Sequence, residues 1–276
     1  WFESTEILLE TFAGVLGLYV FLAHSLTTER PFLSLRLLKD RNYSVGLLLI
    51  TLFGMLNFTP MVLLPPLMQG HMGFPDTVVG IVISWRGIGV ASGFFLSIFT
   101  GRFDPRFSMI AGFAVQVVSG VWLVGLNLDV SVFDFAANGY LQGLAVGLIW
   151  APIATATFWT LAPDDRPEGV AVFHLMRNIG SSFFIAVSVS EVIRVTGVNY
   201  SRLGEDVSIY NKLLALPSAA GGWSVESLAG LAALARELNR QAAIIGYENA
   251  FLMYTVASLL GIPLSLIVRR TAVSRS

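Results

Sequence analysis

The chain has 276 residues, of which 55% are hydrophobic, 12% aromatic and only 13% charged, with a net charge of −1. A soluble domain carries about 25% charged residues, so this one lacks the polar surface to face water, and its near-zero net charge excludes the broad basic surface that nucleic-acid phosphates recruit. The absence of cysteine excludes disulfides, thiol catalysis, iron–sulfur clusters and most structural zinc sites.

Mean hydropathy is +0.72, and a bilayer core about 30 Å thick takes about 20 apolar residues at about 1.5 Å each. Gaps between charged residues therefore mark candidate spans. The first gap is 11 to 28. It follows Trp1, Glu3, Glu6 and Glu10, which form neither a translation start nor the basic start of a signal peptide, so the chain is expected to be a piece of a longer protein. Next come a basic loop at 27 to 42, an apolar gap at 42 to 75 and a stretch at 77 to 101 broken only by Arg86. In the loop GRFDPRF (101 to 107), Asp104 can cap the following helix and Pro105 suits its first turn. Gaps at 107 to 128 and 135 to 163 follow, and then PDDRPEG (163 to 169), where Asp165 and Glu168 resemble a capping box. The stretch 169 to 190 is broken only by Arg177. Beyond it, 194 to 243 is polar, with Leu228, Leu231, Ala235 and Leu238 on one helical face opposite Glu226, Glu237 and Arg240, which predicts an amphipathic helix leading into the last gap, 249 to 268.

These gaps predict an all-α membrane protein with seven transmembrane helices. Short loops rich in Lys and Arg stay in the cytoplasm. Arg30, Arg36, Lys39, Arg41, Arg102, Arg106, Arg166, Arg269, Arg270 and Arg275 all fall on one side of the alternation, while the short loops 69 to 76 and 129 to 133 carry no positive charge. The N-terminus and the stretch 194 to 243 are therefore expected outside, and the C-terminus inside.

A charge at mid-bilayer is expensive and turns to a bundle interior or to water. Arg86 lies about 15 Å beyond Asp76, and Arg177 about 13.5 Å beyond Glu168, so both belong near the midplane. Their functional reading is a water-accessible pathway, and their structural reading is bonding to helix carbonyls. His174, Ser181, Ser188 and Glu191 fall at helical spacing from Arg177 and draw a polar stripe, while Gly89, Gly93 and Ser97 share the side of Arg86. No clean span offers a midplane carboxylate: Asp134 and Glu191 sit at expected outer ends, and Glu10 only a few residues into the first span. Imidazole can carry protons, so His174 can serve proton transfer, or it can pack. Asn57, Asn138 and Gln142 can hold a ligand or join helices. Gly139, Gly143 and Gly147 let two helices approach closely, Pro60, Pro65, Pro66, Pro152 and Pro263 interrupt spans, and Phe58, Trp150 and Phe173 can line a greasy cavity.

Retinal chemistry needs a lysine within a helix, and Lys39 and Lys212 fall in loops. The pattern holds no zinc-protease motif, no metal cluster and no Walker loop, which leaves secondary transport with no cofactor and no enzymatic activity. Within transport these residues fix no cargo, so export of a specific metabolite or siderophore stays open; a non-transporting membrane scaffold is the alternative outside it.

The segments RPFLSLRLLKDRNYSVG (30 to 46), FDPR (103 to 106), LNLDVS (126 to 131), GLAVGLIWAPIATAT (143 to 157), VFHLMRNIGSS (172 to 182) and RQAAIIGYENAFL (240 to 252) resemble the C-terminal half of EmrB/QacA-type drug:proton antiporters, the fourteen-helix branch of the major facilitator superfamily. The resemblance runs in order over nearly the whole chain. It implies a linker helix at 1 to 28, a cytoplasmic loop at 29 to 42 and the C-terminal six-helix domain at 43 to 276, with the external stretch 194 to 243 before the last helix. It also implies a multi-pass protein of the inner or plasma membrane that exports amphipathic, often cationic, small molecules against proton influx by alternating access. Its implied partners are the missing N-terminal half, which carries the family's acidic coupling residues, and in Gram-negative relatives a periplasmic adaptor and an outer-membrane channel. Arg86 in SWRGIG and Arg177 in LMRNIG match positions where family members often have Arg, whereas Trp85 stands where they often have Pro.

Overall fold

A computed structural model of the chain describes residues 4–27, 36–100, 104–127, 130–205, 207 and 227–269. These residues form seven α-helices: α1 (Thr5–Thr27), α2 (Arg41–Pro66), α3 (Asp76–Thr100), α4 (Pro105–Val124), α5 (Val132–Phe158), α6 (Arg166–Glu205) and α7 (Leu228–Ile267), with no strand among the described residues. The helices α2 to α7 are each long and apolar enough to cross a membrane. The stretch expected to be the first span is helical as α1, about 35 Å long at about 1.5 Å per residue, and none of its described side chains is buried.

Short polar side chains start these helices by accepting the first free N–H groups. Asp40 accepts from the Tyr43 N–H at 2.8 Å to open α2. Asp104 caps α4, with Pro105 in its first turn, as the sequence predicts. At α5 the cap is a reciprocal box, in which Ser131 accepts from the Asp134 N–H and the Asp134 carboxylate accepts from the Ser131 N–H, so Asp134 serves the helix end. The expected box of Asp165 and Glu168 does not form in that way. Asp165 ends a 3-10 turn that runs straight into α6, and its carboxylate meets Arg36 at 3.1 Å. Pro65 and Pro66 each remove a helical N–H donor, and α2 then widens into a π-type turn over Leu67–His71, where the Met72 N–H donates to the Leu67 carbonyl.

The last two membrane helices are longer than the charge gaps. Both have 40 residues, about 60 Å and so about twice the apolar thickness of a bilayer. Charge marks where a helix leaves hydrocarbon, and nothing in 191 to 205 stops the backbone hydrogen bonds from continuing. The amphipathic helix expected within 194 to 243 is the start of α7, continuous with the last span. Its buried side differs from the expected one. Gly230 and Leu234 are buried, whereas Leu228 is 86% and Leu231 42% exposed, so the inward face is rotated by one residue. Glu226 lies outside the described residues.

α2 and α5 pack against each other at the centre; α3 lies along α5, α6 along α2, and α4 pairs with α7 behind them. Glycine makes these contacts close. A Cβ at Gly143 would collide with the Arg86 carbonyl and one at Gly93 with the Leu144 carbonyl, which is the role expected for the glycine stripe of α5. A Cβ at Gly54 would meet the Arg177 carbonyl, fixing α6 against α2. Two apolar clusters fill the bundle, one around Ile50, Phe53, Phe113 and Ile149, the other around Leu67, Phe135 and Phe251. At the end where α2 and α4 begin and α7 stops, basic groups serve the close of α7: Arg41 donates to the Ile267 carbonyl and Arg106 to the Val268 carbonyl, while Asn42 accepts the Arg269 N–H.

Candidate functional site

Arg86 comes from the middle of α3, beside the glycine contacts that press α3 onto α5. Its Nη2 donates to both acceptors of one α2 residue, the Asn57 carbonyl and the Asn57 Oδ1, each at 2.7 Å. Its Nε is buried and has no partner among the described residues. The neutral side chain of Asn57 thus stands where a carboxylate could have stood.

Arg177 comes from α6 and reaches the next residue along α2. Its guanidinium carbon lies 6.0 Å from the Phe58 ring centroid and 5.4 Å from that of Trp150 on α5. Its Nε and Nη2 donate to the Asn178 Oδ1 at 3.4 and 3.3 Å. The ion pairs among the described residues are Arg36–Asp165, Arg194–Glu191 and Arg240–Glu237, and neither midplane arginine is in them.

Aromatic rings continue this wall. Trp150 lies 5.3 Å from Phe53, 6.1 Å from Phe173 and 6.1 Å from His174. The His174 ring also meets Phe173 nearly edge-on at 5.7 Å. Of the residues singled out in the sequence, Phe58, Trp150, Phe173, His174 and Arg177 are brought together, and Asn57 with Arg86 adjoins them. Ser181 does not join this group, since its hydroxyl donates to the Asn178 carbonyl of its own helix at 2.9 Å. Further along the same stripe Ser188 is buried, and Glu191 pairs with Arg194 at 2.7 Å.

Asn138 turns to helix joining, and Gln142 bonds to it from one turn along the same helix. Gln142 Nε2 donates to Asn138 Oδ1 at 2.8 Å, and Asn138 exchanges two hydrogen bonds with Ser119 of α4, each at 3.0 Å. A second buried link escapes a search for charge: the Tyr254 hydroxyl of α7 donates to Gln116 Oε1 of α4. Its only sequence signal is a glutamine within an otherwise apolar gap.

A groove of about 630 Å³ lies elsewhere, over Ile81, Trp85, Trp122, Phe133 and Tyr140. Trp85 is accommodated inside α3 on this exposed side. Binding sites combine apolar walls with a few placed polar groups, and the arginine and aromatic face has both where the groove is almost wholly hydrocarbon. Among the described residues no three His, Asp or Glu side chains gather as metal ligands.

No family model matches the chain. It is similar to multidrug export protein EmrB of Escherichia coli K12, 26% identical over 92% of this chain and 50% of that protein. It is also similar to the fatty acid resistance protein FarB of Neisseria gonorrhoeae, 23% identical over 96% of this chain and 52% of that protein. The lincomycin resistance protein LmrB of Listeria monocytogenes is 26% identical over 68% of this chain and 40% of that protein. The chain thus spans about half the length of the first curated relatives it matches. In its relatives and its six membrane-length helices, the chain is similar over nearly its whole length to one half of the EmrB-type transporters.

Proposed function

We propose that the chain is the C-terminal half of a proton-driven exporter of amphipathic small molecules in the inner or plasma membrane. The observation that carries this reading is the convergence of Arg86 and Arg177, from helices on opposite flanks, on the consecutive α2 residues Asn57 and Phe58. Buried charge is retained at mid-membrane where transport uses it. The names of EmrB, FarB and LmrB, which speak of multidrug export and of fatty acid and lincomycin resistance, support small-molecule export. Alternating access assigns a second half, opposite this face, to the other wall of the cavity and to the acidic proton-coupling residues. The charge alternation supports an N-terminus outside and a C-terminus in the cytoplasm, with any periplasmic adaptor and outer-membrane channel engaging the outer side.

Deletion of the gene in its host tests the reading. Sensitivity to a panel of amphipathic drugs is expected to rise at least fourfold in inhibitory concentration; restoring the gene with Arg177→Ala leaves most of that sensitivity, and Arg177→Lys removes part of it. Unchanged sensitivity on deletion, or full resistance with Arg177→Ala, overturns the proposal.

A further inference from the structure

At Arg177 the protein fixes a positive charge that no acidic side chain among the described residues pairs with. The Trp150 and Phe58 rings, 5.4 and 6.0 Å away, offer only the weak negative potential of their faces. The one hydrogen-bond acceptor that meets the guanidinium among the described residues is a neutral amide oxygen on Asn178, at 3.3 and 3.4 Å. A guanidinium carries five N–H donors in a planar fork that matches a carboxylate edge to edge, so donors remain unused. Arg86 repeats the pattern beside it, bound to neutral Asn57, the chain neighbour of Phe58. Two cations with neutral partners therefore meet consecutive residues of one helix, and glycine contacts at Gly54 and Gly143 hold the backbones that carry them.

We infer that this face selects the anionic end of its substrate: a carboxylate seats on the Arg177 guanidinium while an attached aromatic ring lies against Trp150 and Phe58. The inference rests on the export reading and narrows it, because a cationic amphiphile placed on the same face would meet the like charge of Arg177. His174, whose ring lies 6.1 Å from that of Trp150, borders the same wall and adds a hydrogen-bonding edge to it. The resemblance implies often cationic cargo, whereas the name of FarB speaks of fatty acid resistance, so charge selectivity decides between the two.

Calorimetric titration of the purified full chain in a neutral detergent, with protein-free micelles as blank, separates charge from ring when 2-naphthoate is compared with 2-naphthyltrimethylammonium. Naphthoate is expected to bind at least tenfold more tightly, and less so as salt is raised. Arg177→Gln is expected to abolish the preference at an unchanged melting temperature. Arg177→Lys, which keeps the charge and loses the fork, is expected to retain part of it. Equal binding of the two probes, a preference for the cation, no naphthoate binding to the folded chain, or an anion preference that survives Arg177→Gln overturns the inference. Drug sensitivity on gene deletion is read independently, so export stands or falls apart from charge selectivity.

Discussion

Asn57 is the residue on which α3 is anchored to α2, because it offers Arg86 a backbone carbonyl and a side-chain oxygen at the same 2.7 Å distance. Removing the side-chain acceptor leaves the carbonyl, so the expected loss is moderate. Asn57→Leu is predicted to destabilise the chain by about 1.5 kcal/mol, the low end of the range for a hydrogen bond to a charged group. Thermal unfolding in detergent measures it, and Asn57→Asp, which adds an opposite charge beside Arg86, is predicted to unfold no earlier than wild type. An Asn57→Leu variant as stable as wild type means that the carbonyl alone holds Arg86. The two arginines stand out in the sequence because a lone charge in an apolar stretch has few inexpensive explanations. Their partners do not stand out. Asn57 precedes Arg86 by 29 positions and looks like any polar helix residue, and Gln116 and Tyr254 are joined across 138 positions by neutral groups that no charge pattern reveals.

Between elements, stability depends on how near two backbones come. Valine at 143 would drive its Cβ into the Arg86 carbonyl, and backbone, unlike a flexible side chain, has nowhere to move. Gly143→Val is predicted to cost about 2 kcal/mol or more, in the range of overpacked cores, and to separate α3 from α5. Gly87→Ala, on the open side of α3 with nothing near its Cβ, is predicted to be neutral or slightly stabilising, since alanine is the better helix former. Melting temperatures of the two variants in one detergent compare them directly; similar values would show that α3 and α5 are held together by other contacts. The glycine stripe of α5 was legible because its four-residue spacing has a single geometric use. Helix ends were less so. Gaps between charges report where a helix lies in hydrocarbon, whereas α6 continues to Glu205 and α7 begins at Leu228 through residues that water accepts and helical hydrogen bonding tolerates. The inward face of early α7 was misplaced for a related reason: leucines and small residues fall all round that turn, so apolar spacing there fits more than one face, and Gly230 and Leu234 are the buried ones.

Across the whole molecule, burial falls from the centre to the flanks. The most apolar windows of α2 and α5 are each 61% buried, while those of α3 and α6 are each 22% buried, so the helices that carry Arg86 and Arg177 leave broad apolar sides open. In a major facilitator the substrate cavity forms between two six-helix halves that rock against each other; on the proposed reading α2 to α7 are one such half, and the chain matches about half the length of EmrB. The six helices present one wall, with two cations whose partners are neutral, and alternating access needs an opposing wall to open and close against it. Reconstituted alone in vesicles with an imposed pH gradient, the chain is therefore predicted to move no dye in a proton-dependent way, even where it binds the dye. Supplying the other half of an EmrB-type transporter on a second polypeptide is predicted to restore movement, and Arg177→Ala to abolish it again. Proton-dependent dye movement by the purified chain, at a protein density too low for copies to pair, would show that these seven helices enclose a pathway of their own and that the half-cavity reading is wrong.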